Sequence, residues 1–333
     1  MNAHATEEIT SAVHAAVQAA VWAPSVHNTQ PWSFVVDGEE IALRADSDRG
    51  LRTGDIMGRE RLVSCGAALM NIRLVLRGLG HEARVRVLPD PDRPALLATV
   101  RLGESAEADE HTRTLCARIE HRRTHRAGFT ETPVPDQLVD ELVQQAAAEG
   151  ARLTPVRSEA AVRALAALTE AAQEVQSQDR LFTLEVLRWA RPPGSTRAEG
   201  VPAEAYPREP RRTRPHFAQR DYAHGHSWGG ESDRSAATST GLVAVLTTLS
   251  DSREDWITAG QALQRILLHA DAHGVRAAFH TQPLEMFHLR EFMRQELLSG
   301  EYPQMIMRLG FTPDEGRSVR RPIAEVLEER GTT

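Results

Sequence analysis

One short stretch of the sequence carries side chains well suited to binding a phosphate group. It reads HRRTHRAGF over residues 121–129 and places Arg122, Arg123 and Arg126 around the hydroxyl of Thr124. Guanidinium groups at this spacing suit a phosphate dianion, whose oxygens accept forked, charge-assisted hydrogen bonds. An Arg-rich turn is also typical of a solvated surface. The stretch therefore indicates either an anion site or an exposed basic turn.

A second basic cluster lies near the end of the chain. The strand-like run MIMRLGF at 305–311 leads into a polar loop, which is followed by Arg320, Arg321 and a proline. This cluster either meets the first one at a single phosphate or forms an exposed tail.

A third stretch, WAPSVHNTQPWSF at 22–34, has more specific chemistry than a helix-to-strand connection requires. Pro24, Ser25 and Asn28 offer hydrogen-bonding groups at a helix end, which suit the edge of a polar heterocycle. The Gln-Pro-Trp step that follows fixes where the next strand begins.

Hydrophobic periodicity predicts the elements that hold these stretches. A helix over 6–22 must end before Pro24, and SFVVDGEEIALRA at 33–45 predicts two strands around an Asp-Gly turn. Residues 59–80 predict a buried central helix. Further predicted elements are strands at 83–88, 96–102 and 240–250, a helix at 135–149 and helical segments to about 190.

The two most apolar helical segments resemble each other. Residues 59–80 align without a gap on 253–274, a shift of 194 positions, and the identical pairs include Arg59 with Arg253 and Gly66 with Gly260. A duplicated unit explains this match better than chance does. We therefore expect two related halves, residues 1–105 and 106–333, packed as a dimer fused into one chain.

Residues 191–236 interrupt the second half. This segment, called the lid below, is rich in Pro and Arg, has no lasting periodicity and contains Tyr206, Phe217, Tyr222 and Trp228. A loop of this length in a compact domain is typically a lid or a disordered insertion. The interleaved aromatic residues favour a lid that folds onto another surface.

Composition restricts the classes of function. The formal charge of −7 gives no reason to expect nucleic-acid binding, and no apolar run reaches the length of a membrane span. The only two cysteines are too few for a disulfide framework or a structural zinc site, which favours a cytoplasmic location.

The motifs together resemble a known family. APSVHNTQPW is similar to a signature of the nitroreductase superfamily, flavoproteins that bind FMN at a dimer interface. With SCGAALMNIRLVL, RRTHRAGF, YPQMIMRLGF and RRP in this order, the chain resembles the Acg-type subfamily of actinobacteria, which are fused twin nitroreductase units. The resemblance implies an α+β, nitroreductase-like fold, internally duplicated, with long central helices and a lid insertion.

The resemblance also implies where FMN binds. One half would supply the loop of Pro24, Ser25, Val26, His27 and Asn28. The other would supply Arg122, Arg123, Thr124 and Arg126 for the phosphate and pyrimidine edge, with Arg320 or Arg321 completing the phosphate site. Gln282, Pro283 and Leu284 would line the flavin ring, and the backbone N–H near Glu285 would face its N5 atom.

Three motifs would form the site: the Pro-Ser-Asn loop and the two Arg clusters. The loop occurs only in the first half, and both Arg clusters occur only in the second. One FMN site per chain is therefore implied. The chain would be a pseudo-dimer by itself, so a monomer or a weak oligomer is expected.

Two functions fit this reading. The first is an oxidoreductase that uses NADH or NADPH to reduce a nitro compound, a quinone or a similar small acceptor through FMN, with no catalytic residue required from the protein. The second is an FMN-sequestering protein whose lid prevents turnover. A metal site at His216, Asp221, His224 and His226 of the lid is weakly indicated, and solvated histidines are favoured over it.

Overall fold

The computed structural model describes residues 3–208, 213–230, 238–313 and 316–330, with side chains from Glu8 onward. Residues 209–212 and 231–236 of the predicted lid therefore lie outside the described part. Two sheets and the helices between them make up the chain, as the α+β prediction required.

The first sheet has the strand order β3-β4-β2-β1-β9. Its strands are β1 (Trp32–Asp37), β2 (Glu40–Ala45), β3 (His81–Val87), β4 (Leu96–Ser105) and β9 (Leu327–Arg330). The predicted Asp-Gly turn joins β1 to β2, and Gly38 has the positive φ of 57° that such a turn requires.

The edge strand β9 was not predicted. It runs parallel to β1, with Phe34 opposite Leu327, so the sheet of the first half takes a strand from the end of the chain. The boundary at residue 105 thus does not separate the two sheets completely. This crossing carries the basic segment around Arg320 back to the first half.

The second sheet is antiparallel and has the order β5-β6-β8-β7. Its strands are β5 (Arg152–Pro155), β6 (Leu242–Thr248), β7 (Arg276–Phe279) and β8 (Tyr302–Gly310). Strand β8 is buried from Pro303 to its end, because helices and the lid cover it on both faces.

Two long helices form the centre of the molecule. Helix α2 (Arg59–Gly78) crosses α7 (Arg253–Ala272) where Gly66 meets Gly260. A methyl group at Gly66 would overlap the carbonyl of Ile257, and one at Gly260 would overlap the carbonyl of Val63. The backbones can approach this closely only because neither residue has a side chain. One hydrophobic core extends across both helices and both sheets.

Three further helices pack against this pair: α1 (Ala3–Ala20), α3 (Glu110–Arg118) and α4 (Asp136–Ala148). The described residues also contain α5 (Glu159–Gln178), α6 (Arg180–Trp189) and α8 (Phe287–Phe292), of which α5 packs against α6 and against residues 282–284. Side chains of Asp109, Ser158 and Asp179 accept hydrogen bonds from the first free backbone N–H groups of α3, α5 and α6. In the described residues, every helix is too short or too polar to cross a membrane.

Candidate functional site

A cleft is lined by residues from both sides of position 105, with about 1040 Å³ of space between its atoms when the solvent at its mouth is included. Five groups of residues line it. The floor is formed by Glu60, Val63, Ser64, Leu263, Met305 and Arg308; the sides by Pro24–His27, by Thr124–Arg126 and by Ala278–Gln282; and the roof by Tyr206, Pro207 and Gln219–Tyr222 of the lid. The cleft therefore brings together the 24–27 loop and the Arg-rich turn.

The 24–31 loop forms one side of the cleft through an unusual backbone. His27, Asn28 and Gln30 have φ values of 46°, 54° and 51°, in the left-handed region that non-glycine residues rarely occupy. The Ser25 hydroxyl accepts from the backbone N–H of Gln30 at 3.0 Å, and the Ser25 carbonyl accepts from that of Asn28 at 3.0 Å. Ser25 therefore stabilises the turn that directs these residues.

Asn28 joins three segments that are distant in the sequence. Its Nδ2 donates to the carbonyls of Gly200 (3.0 Å) and Val319 (3.2 Å), while its Oδ1 accepts from Arg320 Nη1 at 3.1 Å. The side chain was predicted to contact a bound heterocycle. In this structure its amide is instead engaged by the chain itself, so it positions the lid and Arg320.

A smaller, strongly basic cavity adjoins the cleft, with about 330 Å³ of space between its atoms when the solvent at its mouth is included. Pro24, Ser25, Thr124 and Arg126 line both spaces, so the two are adjacent. The other residues that line the smaller cavity are Asn28, Arg122, Pro202, Arg317, Ser318 and Arg320. We call this cavity the basic pocket.

Among the described residues, no carboxylate pairs with the guanidinium groups of Arg122 and Arg320. Arg122 Nε and Nη1 and Arg320 Nε are buried without a hydrogen-bond partner in the described residues. The pKa of Arg122 is lowered to about 9, first by burial and then by the positive charges of Arg123, Arg276 and Arg126. The pKa of Arg320 is held well below its usual range by burial and by the same cluster.

The turn that follows α1 holds the two central arginines in place. Arg320 Nη2 donates to the carbonyls of Trp22 (3.0 Å) and Ala23 (3.2 Å), and Arg122 Nη2 donates to that of Trp22 at 3.4 Å. Backbone carbonyl oxygens accept hydrogen bonds from the charged guanidinium group. These contacts satisfy only part of each guanidinium, so the remaining N–H groups stay available for an anion.

Two of the predicted phosphate residues lie elsewhere. Arg123 donates to the carbonyls of Glu120 (2.6 Å) and Arg122 (2.9 Å), and its guanidinium stacks on Trp22. Arg321 Nε donates to a carboxylate oxygen of Glu325 at 3.3 Å and its Nη2 to the Glu325 carbonyl at 3.0 Å. Of the predicted alternatives Arg320 and Arg321, only Arg320 lines the basic pocket.

Sequence reasoning missed the buried polar floor of the cleft. Arg308 is fully buried between the rings of Phe129 and Phe217, and its Nε donates to His280 Nε2 at 2.7 Å. His280 is thereby fixed as the neutral tautomer that donates from Nδ1 to the Ala218 carbonyl at 3.2 Å. Burial, and then the charge of Arg308, holds the pKa of His280 well below its usual range.

The described part of the lid packs over the cleft. Tyr206 and Tyr222 are buried, and their ring centroids lie 5.2 Å apart. The Tyr222 hydroxyl lies 3.2 Å from His27 Nδ1, which joins the lid to the 24–31 loop. This packing agrees with the expectation that the aromatic residues of the lid fold onto another surface.

The lid histidines do not form a group with metal-ligand spacing among the described residues. His226 stacks on Trp228, and the Asp221 carboxylate accepts from the backbone N–H groups of Ala223 and His224. The described residues bring potential ligands together at Glu141, His269 and His273, none of which lines the cleft.

Comparison with known proteins matches residues 119–311, more than half of the chain, to the family model described as the Nitroreductase family. The chain belongs to the nitroreductase family. A Mycobacterium tuberculosis protein named "Putative NAD(P)H nitroreductase Rv3131" is 32% identical over 98% of this chain and 94% of its own. Another, named "Putative NAD(P)H nitroreductase acg", is 28% identical over 96% of both chains. These findings confirm the predicted Acg-type nitroreductase membership and the nitroreductase-like fold class.

Solved structures also match part of the chain. An FMN complex of a nitroreductase from Desulfovibrio desulfuricans is 16% identical, with a TM-score of 0.36, over 66% of this chain and 98% of its own. An iodotyrosine deiodinase bound to FMN and 3-iodo-L-tyrosine is 14% identical, with a TM-score of 0.39, over 62% and 95%. At these values neither similarity assigns a ligand to this chain.

The segment that the nitroreductase resemblance places beside the flavin ring is partly turned away from the cleft. Gln282 lines the cleft, but Pro283, Leu284 and Glu285 do not, and Leu284 packs in a buried cluster. The backbone N–H of Glu285 donates to the Thr281 carbonyl at 3.1 Å. The residues of this segment that line the cleft are therefore Thr281 and Gln282, four and three residues before Glu285.

Proposed function

We propose that this nitroreductase-family chain binds one FMN and transfers electrons from NADH or NADPH to a small aromatic acceptor. The observation that carries the proposal is the basic pocket, in which buried N–H groups of Arg122 and Arg320 have no partner among the described residues. It lies next to a cleft of about 1040 Å³, a volume that includes the solvent at its mouth. Burying such charges without a counterion is unfavourable, so a phosphate group is the expected occupant.

Residues of the basic pocket would hold the FMN phosphate. Arg122 and Arg320 offer unpaired N–H groups, and Thr124 and Ser318 offer hydroxyls at the same place. Arg126 lines both spaces, so it would lie between the phosphate and the ring. Arg123 and Arg321 would act indirectly, through Trp22 and through Glu325.

Residues of the cleft would orient the ring. The 24–27 loop, Thr281 and Gln282 line the cleft, and Leu263 and Met305 contribute apolar surface to it. FMN, when bound, would supply the two-electron chemistry, so the protein contributes orientation, exclusion of water and charge. Arg308, a buried and positively charged residue of the cleft floor, would favour an anionic ligand in the cleft.

We also propose that residues 1–105 and 106–333 are related halves of a fused dimer with a single site. The gapless alignment of the two central helices and the meeting of the aligned glycines Gly66 and Gly260 at their crossing support this arrangement. Two equivalent residues of units related by a twofold axis contact each other only close to that axis. The unpaired cysteines Cys65 and Cys116 and the acidic net charge support a cytoplasmic protein that does not bind nucleic acid.

One observation favours FMN sequestration as the second candidate function. The lid covers the cleft with Tyr206, Pro207 and Tyr222. The Tyr222 hydroxyl also lies 3.2 Å from His27 Nδ1 of the 24–31 loop. A roof that stays closed would protect a bound flavin from nicotinamide and acceptor alike.

An anaerobic absorbance titration separates the two candidates. Purified protein loaded with FMN is titrated with NADH, and a second sample is titrated with NADPH. Bleaching of the flavin bands by one equivalent of either nicotinamide supports the reductase. Bands that persist for hours, while dithionite still bleaches them, support sequestration and contradict turnover.

A further inference from the structure

The lid roof of the cleft presents polar atoms that have no partner. Tyr206 Oη, both amide atoms of Gln219 and Arg220 Nη1 are buried without a hydrogen bond in the described residues, and all three residues line the cleft. Only 7% of the Arg220 side chain is exposed. Buried polar groups of this kind cost folding free energy unless a ligand satisfies them. A lid that served only to seal the cleft would be expected to present apolar atoms there.

The roof is fixed in position before any ligand arrives. Arg220 Nη2 donates to Glu285 Oε1 at 2.5 Å, and Glu285 also accepts from Thr281 Oγ1 and from Gln176 Nε2, each at 2.7 Å. One nitrogen of the guanidinium is thus engaged with the protein while Nη1 of the same planar group remains unpaired. The free donor cannot turn away without breaking the ion pair.

A second set of bonds holds the adjacent backbone. The Ala218 carbonyl accepts from His280 Nδ1 and from Gln282 Nε2, each at 3.2 Å, and the Phe217 side chain is fully buried beside them. Gln219 and Arg220 therefore follow a segment anchored to the cleft wall. Such preorganisation lowers the entropic cost of binding a ligand.

The chemistry of the roof selects an anionic, planar ligand. Arg220 Nη1 is a cationic donor, and the Gln219 amide supplies one donor group and one acceptor. Burial raises the pKa of Tyr206 to about 12, so its hydroxyl keeps its proton.

The other charged residues of the cleft leave it positively charged. The cleft also contains Arg126 and Arg308. Of the two acids that line it, Asp221 is engaged by backbone N–H groups and Glu60 pairs with Arg59 at 3.1 Å.

We propose that Arg220, Gln219 and Tyr206 form the acceptor subsite of the cleft and bind the carboxylate of a planar aromatic acid. This inference rests on the proposed function, because it assigns the electron acceptor of the same site. It makes the lid a recognition element that selects an acidic aromatic compound over its neutral analogue.

The test compares benzoate with its neutral isostere benzamide on FMN-loaded protein, by calorimetry and by the change in the flavin absorption bands. We expect benzoate to bind at least about tenfold more tightly in the wild type. Arg220→Lys keeps a cation for Glu285 but lacks the second nitrogen, so the preference should fall below about threefold. The matched control is Arg214→Lys, an exposed lid arginine that does not line the cleft, and it should leave the preference unchanged.

Gln219→Leu provides a second variant that breaks no ion pair, and it should weaken benzoate binding at least about fivefold. Equal affinity for benzoate and benzamide in the wild type overturns the proposal, as does a preference that survives both variants. A loss of FMN affinity beyond about tenfold in either variant would assign the roof to the flavin instead. Protein that takes up no FMN contradicts the proposed function, which separates that failure from the failure of this inference.

Discussion

At the scale of single residues, the clearest feature is the contrast between neighbouring arginines. Arg320 is buried without a carboxylate among its described contacts, whereas Arg321 beside it reaches Glu325 and lies 3.9 Å from Asp46. Arg122 lines the basic pocket, while Arg123 stacks on Trp22. The sequence presents both pairs as equivalent, and only their surroundings separate an anion site from ordinary ion pairs and stacking.

The first prediction uses this contrast. Arg122→Ala and Arg320→Ala should each weaken FMN binding by about 1.5–3 kcal/mol, or about 10- to 150-fold, because each removes charge-assisted bonds to phosphate. Riboflavin, which has no phosphate, should lose less than about threefold. Fluorescence titration with both ligands measures this, and Arg321→Ala is the matched control. Equal losses for FMN and riboflavin would show that the basic pocket does not hold the phosphate.

A second prediction concerns His280 and pH. Its folded-state pKa lies well below the ordinary value of 6.5, so below that pH the unfolded chain gains a proton that the folded chain does not. Stability contributed by neutral His280 is therefore complete above about pH 7 and is lost as the pH falls. The cost approaches about 1.4 kcal/mol per pH unit at low pH.

His280→Gln keeps an acceptor for Arg308 but does not titrate, so its stability should fall less steeply between pH 6.5 and 5. Urea denaturation of both proteins at pH 7.5, 6.5, 5.5 and 5.0 gives the comparison. Identical pH dependence in the two proteins would mean that His280 accepts a proton in the folded state.

At the scale of elements, the crossing of α2 and α7 determines how close the two halves lie. Gly66→Ala and Gly260→Ala should each destabilise the protein by about 1–3 kcal/mol, because a methyl group would overlap a backbone carbonyl of the facing helix. This reverses the usual stabilisation of a helix when Gly is replaced by Ala.

Gly78→Ala is the control in the same helix, since its methyl group would meet only the Cys116 side chain, which can rotate. Urea denaturation should show a change within about 1 kcal/mol for this variant. If Gly66→Ala is as stable as Gly78→Ala, the helices do not cross as closely as described.

Elements with strong local patterns were predicted well from the sequence. The central helix expected at 59–80 is Arg59–Gly78, and the hairpin around Asp37 and Gly38 formed as its turn chemistry requires. Strand β9 was missed because LEER has no alternation of polar and apolar residues, and its pairing with β1 joins parts of the chain almost 300 positions apart. Local patterns carry no information about such long-range pairing.

At the scale of the whole molecule, the site depends on contacts between distant parts of the chain. Asn28 links the 24–31 loop to the lid at Gly200 and to the C-terminal segment at Val319 and Arg320. The sequence located the loop, the Arg-rich turn and the lid, but not this linkage. It also gave little sign of the cleft floor; the one visible signal was a lone Arg308 inside the apolar strand MIMRLGF.

The number of FMN molecules that one chain binds is the most direct test of the proposed single site. Protein freed of flavin is titrated with FMN under visible absorbance, and the mass of the complex is measured by native mass spectrometry. We expect one FMN per 36.8 kDa chain, since the three site motifs occur once each and line the cleft and the adjoining basic pocket. A chain that takes up no FMN, or that takes up two, would contradict it.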